Sequence, residues 1–211
     1  DLGNLHSLLG VELRRAGMVA TIVDPEGLAG GASGNPGGLI MPRLDLDDGA
    51  HARFFRAAYL RALSVIAELE ADSGETIFNR CGVQQMAATD DEIARREKTM
   101  SMRLLPDGYV ERRDGGLFFP QAGVIDPRKY CARLAGGASV VRDRATGIET
   151  PPGGVRVALA RGATMFFDAA VMANSRDALR FVHARTLPLK GVMGQVDEFP
   201  GASPPRVAYV F

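Results

Sequence analysis

A glycine-rich segment near the start of the chain carries residue types that could hold a ligand. Residues 30–42 read Gly-Gly-Ala-Ser-Gly-Asn-Pro-Gly-Gly-Leu-Ile-Met-Pro, with five glycines, two prolines, one serine and one asparagine. Glycines adopt backbone angles that other residues avoid, and they let the main chain approach a ligand closely. The segment follows an apolar run, residues 19–23, that ends at Asp24. A carboxylate at the end of a buried strand can accept hydrogen bonds from ribose hydroxyls, so this arrangement predicts a nucleotide-binding site.

The same residues also allow a purely structural interpretation. Asp24 precedes Pro25 and could be a solvated turn residue. Ser33, Gly34 and Asn35 could form an ordinary flexible loop. At the level of sequence both interpretations remain open.

Composition and charge exclude several classes of protein. The chain has 211 residues and is 46% apolar, enough for a sizeable core, and its 25 basic and 25 acidic residues cancel. Overall charge therefore does not favour nucleic-acid binding. Cys81 and Cys131 lack metal-ligand spacing, so we expect reduced thiols, no metal site and a cytoplasmic protein. No apolar run has membrane-spanning length, so we expect no membrane partner. No His-Asp-Ser set is evident, and no catalytic residue is assigned.

Hydrophobic patterns with a helical period and with a strand period both occur along the chain. The stretch from Leu8 to Gly17 predicts a helix that the glycine ends. Residues 50–72 predict a longer amphipathic helix. Its expected buried stripe consists of Phe55, Tyr59, Ala62, Ile66 and Leu69.

Local signals mark the ends of further elements. Thr89 and Glu92 form a capping box that opens a helix to about Met102. The remaining signals predict strands within 81–87, 117–119, 139–142, 147–149 and 155–159, a helix with Asp126 as cap and Pro127 as first residue, a hairpin turn at Gly153–Gly154, and a final strand over Phe166–Ala173.

The run Gly-Ala-Ser-Gly-Asn-Pro-x-Gly-Leu-x-x-Pro resembles the flavin loop of the D-amino-acid-oxidase-like (DAO) family of FAD enzymes. Within that group the sequence is most similar to the oxidoreductase domain of the bifunctional tRNA wobble-uridine modification family MnmC. The resemblance covers residues 1 to about 200 and is strongest over 17–42, 79–87, 117–134 and 171–196. It implies FAD as cofactor, bound by Gly3, Asp24, Ala32, Ser33, Gly34, Asn35, Gly38, Leu39, Ala173 and Asn174.

The resemblance also implies an α/β fold with a discontinuous domain organisation. Residues 1–76 and 121–184 are expected to build a Rossmann-like FAD-binding domain. Residues 77–120 and 185–211 are expected to build a smaller, incomplete substrate domain that contains a sheet. The family frame places a first strand before Asp1 and further substrate-domain strands after Phe211, so we expect a chain truncated at both ends.

Several positions depart from the family pattern. In the glycine fingerprint G-x-G-x-x-G, Asp1, Gly3 and His6 occupy the three glycine positions, and only Gly3 matches. Ser175 stands where relatives usually carry glycine, and Val124 stands where tryptophan is frequent. An alternative, in which the chain is a non-catalytic remnant or interaction domain with weak or no FAD binding, is supported by Asp1, His6, Ser175 and the expected C-terminal truncation.

The implied activity is the oxidation of a secondary amine. In the tRNA-modifying family this reaction removes the carboxymethyl part of carboxymethylaminomethyl-uridine at the wobble position, with the flavin as hydride acceptor. The implied partners are tRNA and either a methyltransferase domain or further parts of the same protein. A second alternative is a small-amine oxidase of the glycine or sarcosine oxidase kind.

Overall fold

The computed structural model describes residues 12, 13, 15–191, 194, 203 and 205–210. Helices and strands are mixed along the chain, which confirms the expected α/β class. The α-helices with both ends in the described part are α1 (Ala50–Ser73), α2 (Asp90–Ser101) and α3 (Pro127–Ala135). The strands are β1 (Thr21–Val23), β2 (Gly38–Ile40), β3 (Phe78–Asn79), β4 (Val83–Gln85), β5 (Glu111–Arg113), β6 (Gly116–Phe119), β7 (Gly123–Ile125), β8 (Ser139–Val141), β9 (Ala145–Glu149), β10 (Val155–Leu159), β11 (Thr164–Phe167) and β12 (Ala208–Val210).

The chain divides into two compact units. The first unit comprises Asp1–Pro36 and Pro127–Glu198, and the second comprises Gly37–Asp126 and Phe199–Phe211. The assignment of residues 1–76 and 121–184 to an FAD domain, and of 77–120 and 185–211 to a substrate domain, stays a prediction.

The first unit contains a parallel strand pair and an antiparallel meander. β1 pairs with β8 in parallel, with Ile22 opposite Val140. In the meander β10 lies between β9 and β11, which confirms the hairpin turn expected at Gly153–Gly154. Helix α3 starts at Pro127 as expected and buries Cys131 and Leu134 completely.

Within its described residues the second unit contains two small sheets and two α-helices. β7 pairs with β2 on one side and with β3 on the other, both antiparallel. The other sheet has the order β12-β4-β6-β5, and β12 pairs with β4 in parallel. Glu70 near the end of α1 accepts hydrogen bonds from the amides of Ile77 and Phe78 at 2.7 and 2.9 Å, so the helix fixes the start of β3.

The predicted N-cap at Thr89 is confirmed, whereas the return bond of the capping box is shifted by one residue. Thr89 is the N-cap of α2, and its Oγ1 accepts a hydrogen bond from the amide of Glu92 at 3.3 Å. In return Glu92 Oε2 accepts from the amide of Ala88 at 2.7 Å. Three acidic residues in the first turn complement the helix dipole.

The long helix is confirmed, but its predicted buried stripe is only partly right. Tyr59 and Ile66 are buried as expected, whereas Phe55 is 42% exposed. The buried face instead continues through Ala52 and Leu63. Phe55 packs edge-to-face against His51, with ring centroids 4.7 Å apart, so its ring contacts its own helix rather than the core.

The predicted strand over Phe166–Ala173 is wrong in its second half. β11 ends at Phe167, and residues 168–173 have no strand pairing. β11 pairs with β10 up to the register Val155 opposite Phe167, and β10 has no residue left beyond Val155 to pair with the following segment. The apolar run of residues 166–173 therefore continues beyond the end of β10, the strand with which it pairs.

Two predictions concern the start of the chain, residues 1–17. Of the helix expected between Leu8 and Gly17, residues 12, 13 and 15 are helical, and Gly17 has the left-handed φ of 76° that suits a helix end. Asp1, Gly3 and His6 lie outside the described residues.

Candidate cofactor-binding site

Asp24 lies at the carboxyl end of β1, where the parallel pair ends. Its amide donates a hydrogen bond to the carbonyl of Val141 at 3.1 Å, which extends the pairing with β8 by one residue. The Asp24 side chain is half-buried. Ligands of open parallel sheets bind outside the carboxyl ends of the strands, so this is the edge at which a nucleotide site is expected.

One oxygen of the Asp24 carboxylate shapes the turn that follows. Oδ1 accepts hydrogen bonds from the amides of Glu26 and Gly27, at 2.9 and 3.0 Å. Gly27 has a φ of 83°, a conformation in which a residue with a side chain is strained. Among the described residues no donor bonds to the other oxygen, Oδ2. The structural interpretation of Asp24 as a turn residue is thus correct for one oxygen, and the second oxygen stays available for a ligand.

The loop after this turn is held by specific contacts in the first unit. Residues Ala32–Gly34 form a 3₁₀ turn, in which the amide of Asn35 donates to the carbonyl of Ala32 at 3.1 Å. A Cβ at Gly34 would lie 2.6 Å from the carbonyl oxygen of Ala29, so only glycine fits there. Arg128 of α3 donates through Nε to the carbonyl of Gly34 at 2.6 Å. Ser33 is buried, with 4% of its surface exposed.

Two further residues of the glycine-rich segment that the sequence predicts to bind FAD belong to the second unit. Gly38 and Leu39 lie on β2, where they pair with Ile125 and Val124 of β7. Gly38 is half-buried and Leu39 is 45% exposed. The predicted FAD residues are therefore divided between the two compact units, apart from Gly3, which the structure does not describe.

The first unit contains a cavity of about 230 Å³ beside Asp24. Of the predicted FAD residues, the cavity brings together Asp24, Ala173 and Asn174, whereas Ala32 to Asn35 follow directly after its wall. The full lining consists of Ile22 to Gly31 without interruption, Arg144, Ala145, Ala173, Asn174, Ser175, Asp177, Arg180 and Phe181.

Asn174 lines this cavity and has one unsatisfied polar atom. Its side-chain oxygen Oδ1 is buried and has no hydrogen-bond partner in the part of the chain that the structure describes. A buried acceptor without a donor costs free energy, so a ligand that donates a hydrogen bond would stabilise the site. The orphaned Asn174 oxygen and the available oxygen of Asp24 are acceptors of the kind that ribose and adenine donors require. The residues present therefore fit an adenosine group.

Ser175 has a backbone conformation that glycine adopts more easily than serine. Its φ is 54°, in the left-handed region that an L-residue other than glycine adopts at a cost. The departure from the family pattern is thus a local strain in the backbone on the cavity wall.

Sequence reasoning missed three charged residues on the cavity wall. Asp177 Oδ2 lies 3.7 Å from Arg144 Nη1, and Asp177 Oδ1 lies 3.3 Å from Arg180 Nε. Arg144 precedes β9, whereas Asp177 and Arg180 belong to a 3₁₀ segment, Ser175–Arg180. Because the two segments are distant along the chain, no spacing in the sequence could indicate that they meet.

The sequence matches the model of a known protein family. The family model described as "FAD dependent oxidoreductase" (DAO) matches residues 8–210. The chain therefore belongs to the DAO family of FAD-dependent oxidoreductases, and FAD is the cofactor of that family.

Two proteins with similar sequences carry the same name, MnmC. The chain is 32% identical over 201 residues to the tRNA 5-methylaminomethyl-2-thiouridine biosynthesis bifunctional protein MnmC of Methylobacillus flagellatus, covering 87% of this chain and 31% of the relative. It is 27% identical to the MnmC protein of Chromohalobacter salexigens, covering 94% of this chain and 31% of the relative. The chain thus spans about a third of the length of these relatives.

Solved structures share the fold at low sequence identity. L-proline dehydrogenase from P. horikoshii superposes with a TM-score of 0.67 at 14% identity, covering 87% of this chain and 54% of that one. Glycine oxidase from Geobacillus kaustophilus superposes with a TM-score of 0.64 at 17% identity, covering 82% of this chain and 53% of that one. These likenesses support the fold expected from the sequence.

The described helices include none with the length and apolar character needed to cross a membrane.

Proposed function

We propose that this chain is the FAD-binding part of an oxidoreductase that acts on the carbon beside a secondary amine. The observation that carries the proposal is the cavity at the carboxyl end of β1. There Asp24 has one carboxylate oxygen that no described residue contacts, and Asn174 adds a side-chain amide to the wall, so that both are proposed to accept hydrogen bonds from an adenosine group. Membership of the FAD-dependent family identifies the ligand to which that adenosine belongs.

Each residue of the site has a proposed task. Asp24 accepts hydrogen bonds from the ribose, and Asn174 accepts one from the ribose or the base. Gly34 permits the close approach of the loop backbone, and the buried Ser33 and the Arg128 contact keep that backbone in place. Ala173 is almost fully buried, with 2% of its surface exposed, and contributes a small side chain to the wall beside Asn174. We propose the same cofactor-facing role for Gly3, Ala32, Asn35, Gly38 and Leu39.

When bound, FAD accepts a hydride from the substrate carbon. The substrate that we propose is the carboxymethylaminomethyl group of a tRNA wobble uridine, because the MnmC relatives are named for the biosynthesis of 5-methylaminomethyl-2-thiouridine in tRNA. Loss of a hydride from the carbon beside the nitrogen, and of the N–H proton to solvent, leaves an imine, to which water adds. The carbon–nitrogen bond then breaks to give the aminomethyl group and glyoxylate. As the chain spans only part of these relatives, we propose that a methyltransferase domain or further parts of the same protein act alongside it.

Anaerobic reduction of the bound flavin tests the proposed substrate. The chain is reconstituted with FAD and mixed with tRNA that carries carboxymethylaminomethyl-uridine, and loss of the visible flavin absorbance is followed. We expect bleaching with this tRNA and none with tRNA that carries aminomethyl-uridine, which lacks the carboxymethyl carbon.

Two other outcomes identify the alternatives. Bleaching by glycine or sarcosine, but not by the modified tRNA, would assign the chain to the small-amine oxidases. Failure of the folded chain to take up FAD would leave the non-catalytic remnant as the correct description.

A further inference from the structure

Charge is divided unevenly between the two compact units of the chain. Over the whole sequence the 25 basic and 25 acidic residues cancel. Basic residues nevertheless outnumber acidic ones in the first unit, whereas acidic residues outnumber basic ones in the second. The first unit is therefore able to attract a polyanion although the chain as a whole is neutral.

Within the first unit, positive charge is concentrated on residues 175–191. The basic residues of this segment are Arg176, Arg180, Arg185 and Lys190, and its acidic residue is Asp177. All of these side chains belong to exposed residues. Arg180 pairs with Asp177 at 3.3 Å, whereas Arg176, Arg185 and Lys190 have no ion-pair partner in the described part of the chain.

The segment is packed onto the first unit by apolar residues at a regular spacing. Ala178, Phe181 and Ala184 are buried. They recur every three residues, which is the period of the 3₁₀ turns Ser175–Arg180 and Val182–Ala184. The basic residues of the segment are thus held on an ordered backbone, so a partner does not have to order the segment when it binds.

The end of the segment returns to its beginning. A Cβ on Gly191 would lie 3.5 Å from Nη1 of Arg176. The backbone next to Lys190 is therefore close to the Arg176 side chain, and two cations without a carboxylate partner lie on the same part of the surface.

The turn between β10 and β11 adds a further arginine beside this segment. Asp177 lies 3.7 Å from Arg144. Asp143 is buried, and its carboxylate accepts hydrogen bonds from the amides of Arg144 and Arg161 at 2.7 and 3.3 Å. The acid thus ties Arg161 to Arg144 while its own charge stays away from solvent. Arg161 is exposed and has no ion-pair partner among the described residues.

These contacts connect five basic residues into one surface, which we call the basic face: Arg144, Arg161, Arg176, Arg180 and Lys190. Two of them, Arg144 and Arg180, also line the cavity together with Asp24 and Glu26, but the other three do not. The basic face therefore extends beyond the cofactor site and has cations that the cofactor does not need.

We propose that the basic face binds the phosphate backbone of RNA and that, in the proposed function on which this inference rests, the RNA is the substrate tRNA. Exposed guanidinium and ammonium groups without a carboxylate partner form strong charged hydrogen bonds with phosphate oxygens. Contacts of this kind hold and orient a nucleic acid without reading its sequence. An anionic lipid surface presents phosphates too, and it is the alternative occupant that the test has to exclude.

Titration of a fluorescein-labelled tRNA transcript with the chain, followed by fluorescence anisotropy without any flavin, tests the inference. The first variant combines Arg161→Gln, Arg176→Gln and Lys190→Gln. The control variant combines Arg95→Gln, Lys98→Gln and Arg103→Gln, which removes the same charge from the second unit. These three control residues are also exposed and without an ion-pair partner among the described residues.

We expect the variant of the basic face to bind tRNA at least about tenfold more weakly at ~0.1 M salt. Each lost phosphate contact also reduces the salt dependence of binding. The slope of log K against log salt concentration should therefore become shallower by about 2–3 in this variant. The control variant should keep the affinity of the unmodified chain within about threefold.

Several results would overturn the inference. An equal loss of affinity in both variants would show a response to total charge rather than to the basic face. Unchanged affinity in the variant of the basic face would remove these residues from the RNA contact. If the unmodified chain binds vesicles that contain phosphatidylserine but does not bind tRNA, the face belongs to a lipid surface.

The outcomes also separate this inference from the proposed function. Uptake of FAD by a chain that does not bind tRNA would overturn the inference and leave FAD binding intact. Loss of tRNA affinity in the variant of the basic face alone, in a chain whose flavin is not bleached by the modified tRNA, would support the basic face and contradict the proposed substrate.

Discussion

At the scale of single residues, Asp24 contributes both to the local fold and to the proposed cofactor site. Its Oδ1 accepts hydrogen bonds from the amides of Glu26 and Gly27 and so fixes the turn after β1. Its other oxygen has no donor among the described residues. A nucleotide-binding acid is thus held in position by the turn it creates, and the two roles can be separated by mutation.

Replacing Asp24 tests the proposed contact with the ribose. Asp24→Ala should weaken FAD binding by about 1–3 kcal/mol, because the ribose hydroxyls lose a charged acceptor. Asp24→Asn keeps an oxygen for the turn but removes the charge. We therefore expect the asparagine variant to lose FAD affinity while its free energy of unfolding changes by less than about 0.5 kcal/mol. Equal FAD affinity in all three proteins, measured by titration, would remove Asp24 from the site.

Ser175 offers a stabilising substitution. Its left-handed backbone costs about 1–2 kcal/mol, whereas glycine adopts that conformation freely but has more entropy to lose on folding. We expect Ser175→Gly to raise the free energy of unfolding by about 0.5–1 kcal/mol in denaturant titration. The control is Ser64→Gly within α1, where glycine should lower stability instead. A loss of stability in Ser175→Gly would contradict the strain at this position.

Tyr59 on α1 is buried, and its hydroxyl has no hydrogen-bond partner within the described part of the chain. Burial raises the pKa of Tyr59 above its usual value; Tyr109 adds to the increase, and Arg80 opposes it. Above about pH 10 an unfolded chain releases this proton while the folded chain keeps it. The free energy of unfolding should therefore fall as the pH rises above that value.

The variant Tyr59→Phe separates these effects. Near neutral pH it should keep or gain stability, by up to about 1 kcal/mol, because an unsatisfied hydroxyl is removed. Above about pH 10 it should lose less stability than the unmodified chain. Denaturant titrations at both pH values provide the measurement, with the exposed Tyr209→Phe as control for loss of a hydroxyl. A stability loss of several kcal/mol near neutral pH would indicate a hydrogen bond that the structure lacks.

At the scale of elements, the glycine-rich loop is packed rather than loose. Gly34 accepts a hydrogen bond from Arg128 of α3, and its Cα faces the carbonyl of Ala29. Gly34→Ala should therefore cost about 1–3 kcal/mol of stability through overpacking, and it should weaken FAD binding. Gly147→Ala is the matched control, because its Cβ would meet Ala158 at an ordinary 3.6 Å. Equal stability of the two variants would show that the close approach at Gly34 relaxes without cost.

The elements also show what the sequence could predict. Helix α1 and the capping box of α2 follow from local periodicity and local hydrogen bonds, so the sequence indicated both. The end of β11 is determined by the length of its partner β10, which an apolar run does not encode. The contact between Arg144 and Asp177 joins residues far apart along the chain, and the left-handed backbone of Ser175 depends on its surroundings. These features depend on contacts between segments that are distant in the sequence, so the local sequence could not predict them.

At the scale of the whole molecule, the chain forms two compact units that alternate along the sequence. The residues that we propose to contact FAD belong to both, with Asp24 and Asn174 in the first and Gly38 and Leu39 in the second. The chain also spans only about a third of its MnmC relatives. FAD binding is thus the first step that the proposed function requires of this chain.

Titration of the chain with FAD, in the presence of competing nucleotides, tests that claim most directly. We predict saturable binding of one FAD per chain that ADP displaces, because ADP carries the adenosine that the cavity is proposed to hold. FMN lacks the adenosine and should displace FAD less at the same concentration. A folded chain that binds no FAD, or one from which FMN displaces FAD as well as ADP does, would contradict the account.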